Sequence, residues 1–162
     1  SNRQPVRYLS ADKPMIRILL SATAMAIATA SHADPDRVSI LMGSDHINAK
    51  YPFNEFNPGV FLTWEGPVID WTLGAYLNSY ERGSVSLTAS LPVVEWDEGS
   101  LDLFIGAALY PVDGRKFALH VGDVVPLAGF QLRQGKAFMQ VIPSDGIWTD
   151  AIVSFGVTFS LE

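Results

Sequence analysis

Past Asp34 the chain alternates. In "GSVSLTASLPVV", Gly83 to Val94, the residues Val85, Leu87, Ala89, Leu91 and Val93 fall on one side of an extended segment, and Ser84, Ser86, Thr88 and Ser90 on the other. Successive side chains of a strand point to opposite faces, so a period of two marks a strand with one apolar face. The pattern recurs. Ile69, Trp71, Leu73, Ala75 and Leu77 oppose Asp70, Thr72, Gly74 and Tyr76. Leu101, Leu103, Ile105, Ala107 and Leu109 oppose Asp102, Phe104, Gly106, Ala108 and Tyr110, and Val153, Phe155, Val157, Phe159 and Leu161 oppose Ser154, Gly156, Thr158 and Ser160.

Eight strands are predicted, near 37–44, 58–65, 68–79, 84–94, 100–110, 126–133, 136–142 and 151–161. Gly66-Pro67, Trp96 to Gly99 and Gln134-Gly135 read as tight turns, whereas 45–57, 111–125 and 143–150 are long connections and 80–83 is a short one on their side. An up-and-down meander puts every tight turn at one end and every loop at the other. Short turns, longer loops, an even strand number and strands of about ten residues are the signature of an outer-membrane barrel. The expected fold is all-β: an eight-stranded antiparallel up-and-down β-barrel.

The pattern leaves the facing of the apolar sides open. In a soluble barrel they point inward, and in a membrane barrel they meet lipid. Glycine, serine, threonine and alanine on the polar faces suit a narrow eight-stranded interior. Trp64, Trp71, Trp96 and Trp148 lie at or near strand ends, where the aromatic belts of membrane proteins sit, although ordinary sandwiches carry such residues too.

Composition changes this picture at the N-terminus. Apolar residues make up 48% of the 162-residue chain and charged ones only 17%, where about a quarter is usual. Part of the excess is "MIRILLSATAMAIATASHAD", from Met15: Arg17 supplies a positive start, Ile18 to Ala30 an apolar run, and Ala28-Thr29-Ala30 or Ser31-His32-Ala33 a cleavage signal. That is the pattern of a secretory signal peptide over 15–33, with a buried N-terminal helix as the other reading. Residues 1–14 read as an upstream extension, and 34–162 as the barrel. Removing the leader takes four basic residues and one acidic one, moving the net charge from −6 to −9. Such a chain lacks the basic surface that nucleic-acid binding needs. With no cysteine, and with His32, His46 and His120 far apart, no disulfide, thiolate or metal site is expected. No cofactor is expected either.

The candidate chemistry lies in the loops. "GSDHINAKYPFNEFNPGV", Gly43 to Val60, is long for a connection between two strands, and such loops are usually functional or disordered. Tyr51, Phe53 and Phe56 argue against disorder. The first strand ends just before His46 and the third ends at Asn78-Ser79, so both fall on the loop rim. A serine hydroxyl is a weak nucleophile until a neutral imidazole takes its proton, and a third polar group usually orients the imidazole. Asn78 can orient it or help bind an oxyanion, without the charge of an aspartate. The plainer reading of all three, solvated loop residues and turn formers, stands beside this one.

"DHINAKYPFNEFNPGVFLTWE", "WTLGAYLNSYERGSVSLTA" and "VVPLAGFQLRQGKAFMQVIPSDGIWTDAIVSFGVTFSL" together resemble, in order, segments of the outer-membrane lipid A palmitoyltransferase (PagP-type) family. The likeness covers most of Asp45 to Leu161. It implies an enzyme of the outer membrane of a Gram-negative bacterium, monomeric, moving a palmitoyl chain from a phospholipid donor to a lipid A acceptor. The chain would enter a lumen lined by small and apolar side chains, and the reaction would occur at the outer rim. By position, His46 is the catalytic histidine and Ser79 the catalytic serine. The family's aspartate falls on Asn78, which departs from the pattern, and restoring the charge with Asn78→Asp is expected to raise activity. There is no room between Asp34 and Val38 for the family's N-terminal amphipathic helix. Arg82, Arg115 and Lys116 are candidates for lipid phosphates, beside their reading as ordinary solvated charge. Pro92 and Pro126 cannot donate to a ladder, and in the related enzymes such interruptions admit lipid sideways, although a strand-end role fits both as well. Two other functions remain open: a non-enzymatic barrel with binding loops, and a lipid deacylase in which water replaces the acceptor.

Overall fold

The computed structural model describes residues 34–161. The expected signal peptide and the extension before it lie outside these residues. The described chain forms eight strands: β1 (Arg37–Ile47), β2 (Gly59–Trp64), β3 (Asp70–Leu77), β4 (Gly83–Trp96), β5 (Gly99–Leu109), β6 (Val124–Gln134), β7 (Ala137–Pro143) and β8 (Ala151–Ser160). Each pairs antiparallel with the next, and β8 returns to β1, so the sheet closes into a barrel. Closure gives every strand a partner on each side, which is how a sheet of this kind avoids pairing with other chains.

Three connections, 65–69, 97–98 and 135–136, gather at one end. At the other stand loops 48–58, 78–82, 110–123 and 144–150. This is the expected meander, with boundaries moved by a few residues. The largest change is in β1, which runs to Ile47 instead of stopping before His46, because Ser44 to Ile47 pair with Ser154 to Ala151 of β8. His46 is therefore a strand residue. Among the described residues the helical element is a single 3-10 turn, Gly114–Lys116, and no helix is long and apolar enough to cross a membrane.

The apolar faces look outward. Ile105, in the middle of β5, is 67% exposed, and Met42, Leu73, Leu103, Phe130, Met139 and Phe155 share that outer surface. Their neighbours in sequence turn inward: Asp102 is 1% exposed and Ser100 2%. A water-soluble barrel has the opposite arrangement, and a surface of this kind is compatible with an outer-membrane protein. Trp64, Trp71 and Trp96 sit at the tight-turn end of the outer belt, and Trp148 on the loop side. On β1 the outward carboxylate of Asp45 ends the apolar belt.

The interior has two halves. Toward the loops it is aromatic: Phe61 meets Tyr76 and Phe138 edge-on, and Tyr76 meets Tyr110 in the same way. Gly74 on β3 makes room for this cluster, because a Cβ there would run into the Phe61 ring. Toward the turns the interior is ionic. Arg37 pairs with Glu65 and stands 3.9 Å from Asp70, Arg133 pairs with Asp102 at 3.3 Å, and Gln131 donates to Asp102 at 3.4 Å. Asp70 and Asp102 were expected on the inward faces, among mostly small polar residues; Arg37, Glu65 and Arg133 join them there.

Candidate functional site

His46 faces inward because β1 is irregular. From Arg37 to Leu41 the odd-numbered residues are buried; from Ser44 on, the even-numbered ones are. The register with β8 shifts between Leu41 and Gly43, the mark of an added residue in one strand. Without it, strict alternation would turn Asp45 into the lumen and His46 out. Gly43 lies at the shift and lets the 48–58 loop fold against β1: the Ser44 N–H donates to the Glu55 carbonyl at 2.9 Å, and a Cβ on Gly43 would stand 2.8 Å from that oxygen. Asn57, 3% exposed, links the two sides by its hydrogen bond with the Ser44 hydroxyl and by donating Nδ2 to the Leu77 carbonyl at 3.2 Å.

Ser79 is carried by the tight loop from Asn78 to Arg82. The Asn78 N–H donates to the Arg82 carbonyl at 2.7 Å, and the Glu81 N–H to the Asn78 carbonyl at 2.9 Å. Glu81 takes a φ of 62°, the left-handed conformation a chain needs to reverse so quickly. The Asn78 side chain, 1% exposed, is fully engaged in this turn. Its Oδ1 accepts from the Tyr80 N–H at 2.8 Å and the Arg82 N–H at 3.1 Å, and its Nδ2 donates to Ser84 Oγ at 2.9 Å. Asn78 therefore does not orient the imidazole. It builds the platform for the residue beside it.

The two loop-end residues meet. Ser79 Oγ lies 3.0 Å from His46 Nε2, within hydrogen-bond reach across 33 positions of sequence. His46 is 5% exposed. Burial lowers its pKa below the ordinary value, against the neighbouring charge of Asp45, which pulls the other way. The imidazole is thus neutral at pH 7, the form that takes a proton from a hydroxyl. Its Nδ1 has no hydrogen-bond partner among the described residues. The ring instead lies against Phe53, with centroids 4.3 Å apart and planes 15° from parallel.

The three candidate cations separate. Arg82 Nε and Lys116 Nζ both pair with Asp113, at 3.3 and 2.6 Å, and Asp113 is buried. Lys116 also stands 4.2 Å over the Tyr80 ring, whose hydroxyl pKa is pushed up to about 12, first by burial and then by the charge of Asp113. Arg115 is exposed, without an ion pair among the described residues. Lys116 lines a small cavity of about 30 Å³ together with His46, Ser79, Tyr80, Asp145 and Thr149. Sequence reasoning missed Phe53, Asn57 and Asp113 as members of this constellation. Only the aromatic content of "YPFNEF" hinted at the first.

Below Ser79 the lumen opens. A cavity of about 300 Å³ runs from Asn78 and Ser79 past Tyr76, Tyr110 and Phe61 to Phe104 and Gln140. Its lining includes Pro126 and Leu127 of β6 and Ile142 and Pro143 of β7. Between those strands the ladder runs only from Phe130↔Val141 to Gln134↔Ala137, so the upper part of β6 has no partner in β7. Pro126, paired with Ala107 on β5, lies in that stretch, where its missing donor costs no bond to β7. Pro92 lies instead at a register shift between β4 and β5.

No protein-family model matches this chain, and a search of curated proteins found no match.

Proposed function

We propose that this protein is an outer-membrane acyltransferase that moves a palmitoyl or similar chain from a phospholipid to lipid A. The observation that carries the reading is the place of the Ser79–His46 hydrogen bond: Ser79 stands both beside the imidazole and at the mouth of the lumen cavity. An acyl chain lying in that cavity brings its ester carbonyl to the Ser79 hydroxyl. Walls of Leu41, Phe61, Phe104, Val125 and Leu127 suit a hydrocarbon, and the unpaired stretch between β6 and β7 gives a lipid tail a sideways entrance. The likeness of the three quoted segments to the palmitoyltransferase family supports the same reading.

The chemistry follows from the pair. His46 Nε2 takes the proton as Ser79 Oγ bonds to the ester carbon. The lysophospholipid alkoxide leaves and takes that proton, and the acyl group stays on Ser79. A hydroxyl of lipid A then gives its proton to His46 and bonds to the acyl carbon; the bond to Ser79 Oγ breaks, and Oγ takes the proton back from His46. Lys116 lines the same small cavity, with its charge shared with the buried carboxylate of Asp113. Arg115, exposed and without an ion pair among the described residues, is the candidate for a lipid phosphate. Arg82 is held by Asp113 of the 110–123 loop.

Mass spectrometry of lipid A from cells expressing the wild type, His46→Ala and Ser79→Ala tests this. An added acyl chain that disappears in both variants is the expected result. Loss of a chain from lipid A points to a deacylase using the same pair. An unchanged lipid A, with folded barrel present in the outer membrane, leaves a non-enzymatic barrel and sinks the proposal.

A further inference from the structure

In a nucleophile–base pair a third group normally holds the imidazole in place. Here the hydrogen-bonding third group is missing: Nδ1 of His46 has no partner among the described residues, and Asn78 is committed to its turn. Phe53 occupies the ring's face instead. That phenyl is itself held edge-on by Tyr51 at 5.1 Å and by Tyr80 at 5.8 Å. The next two residues fix the loop to both halves of the pair. The Asn54 N–H donates to the Ser79 carbonyl at 3.0 Å, and the Glu55 carbonyl accepts from the Ser44 N–H at 2.9 Å.

We propose that Phe53 is the positioning residue of this site: its stacking against His46 takes the place of the carboxylate that orients the imidazole elsewhere. A parallel, offset ring is a favoured aromatic geometry and constrains the imidazole plane. It also stabilises the imidazolium that forms when His46 takes the proton, because a cation is attracted to an aromatic face. The 48–58 loop is long because it reaches over both residues at once.

The kinetic part of this inference rests on the acyl-transfer reading; the part concerning the ring does not. The test uses the whole folded barrel in detergent micelles, with nitrogen-15 histidine, and His46→Asn to assign the signals. In the wild type His46 is expected as one neutral tautomer, with the proton on Nδ1 so that Nε2 can accept from Ser79. Phe53→Leu, which keeps bulk and loses the ring, should mix the tautomers. Lys116, Asp145, Tyr80 and Tyr110 are the other titratable groups lining this site, Asp45 adds its charge from the outer face of β1, and none is altered. Turnover should fall roughly 10- to 100-fold, the scale of a misplaced catalytic group, with KM changed less than about threefold. Phe53→Tyr, which keeps the ring, should keep both the single tautomer and turnover.

Unchanged ring signals and unchanged turnover in Phe53→Leu overturn the inference. So does an equal loss in Phe53→Tyr, which would mark a packing role without regard to stacking. A wild type that transfers no acyl chain, yet shows the tautomer change on substitution, removes the proposed reaction and leaves Phe53 as the residue that sets the imidazole.

Discussion

Asn78 separates two accounts of this site. If it stood in for an orienting aspartate, restoring the charge would raise activity. The structure leads to a different result. Asn78→Ala removes the acceptor of the Tyr80 and Arg82 N–H groups and the donor to Ser84, at a position 1% exposed. Both N–H bonds are part-buried, so each donor left unsatisfied costs toward the low end of about 1–3 kcal/mol, and Ser84 Oγ loses one donor. The expected loss is therefore about 2–4 kcal/mol of stability, together with a roughly 10- to 100-fold drop in turnover as Ser79 moves from Nε2. Asn78→Asp keeps both N–H bonds, now charge-assisted, and can accept from the Ser84 hydroxyl. Set against the burial of a charge, its net cost is about 1–2 kcal/mol. It should not raise turnover, because its carboxylate faces the turn and not Nδ1. Guanidinium unfolding in micelles, followed by tryptophan fluorescence, measures the first quantity, and mass spectrometry of the lipid product the second. An Asn78→Ala barrel as stable as the wild type, or an Asn78→Asp enzyme several-fold faster, would refute the turn-building account.

Further outcomes follow from the same contacts. With the folded pKa of His46 below the ordinary value, the acid limb of kcat/KM should lie below about pH 6.5, and stability should decline as pH falls from about 6.5 through that lowered pKa, since the unfolded histidine binds the proton more readily; a pH–rate profile and pH-dependent unfolding read both. Ser79→Ala and His46→Ala should each lower turnover by about three orders of magnitude or more, and the double variant by little beyond that, because the two act as a unit. Gly43→Ala places a Cβ 2.8 Å from the Glu55 carbonyl, so the 48–58 loop must move; activity should fall at least tenfold with a much smaller change in melting temperature. At the far end, Asp102→Ala strands Arg133 in the interior and should cost about 3–5 kcal/mol, whereas Asp102→Leu with Arg133→Met should recover most of it. Chemical denaturation of the single and paired variants measures that recovery.

The barrel was legible because its outer and inner faces carry opposite chemistry on alternate residues. Val85 to Val93 and Val153 to Phe159 carry that alternation without a break, so strand number, topology and the side of each loop could be read directly. The lower interior was less legible. Asp70 and Asp102 stood on the polar faces as expected, but their partners Arg37, Glu65 and Arg133 come from other strands or from a turn. Pairing across a barrel depends on register, which one strand's own sequence does not contain.

The site was half legible for the same physical reason. A histidine in one loop-side segment and a serine in another could be assigned to a common rim from strand count alone. Their contact could not, because it depends on one added residue near Met42. Strict alternation from Ser39 and Leu41 places His46 outside the barrel, facing away from Ser79. The shift between Leu41 and Gly43 reverses that parity, and Gly43 then admits the loop that brings Phe53 onto the ring. Asn78 misled for a related reason: an Asx side chain next to a serine looks like a relay partner, yet the tight reversal at Glu81 needs an acceptor for two N–H groups, and that local demand takes the amide first. What remains to orient the imidazole is an aromatic face. Its signature in sequence, a phenylalanine in a long loop, is indistinguishable from ordinary packing until the strand irregularity opposite it is known.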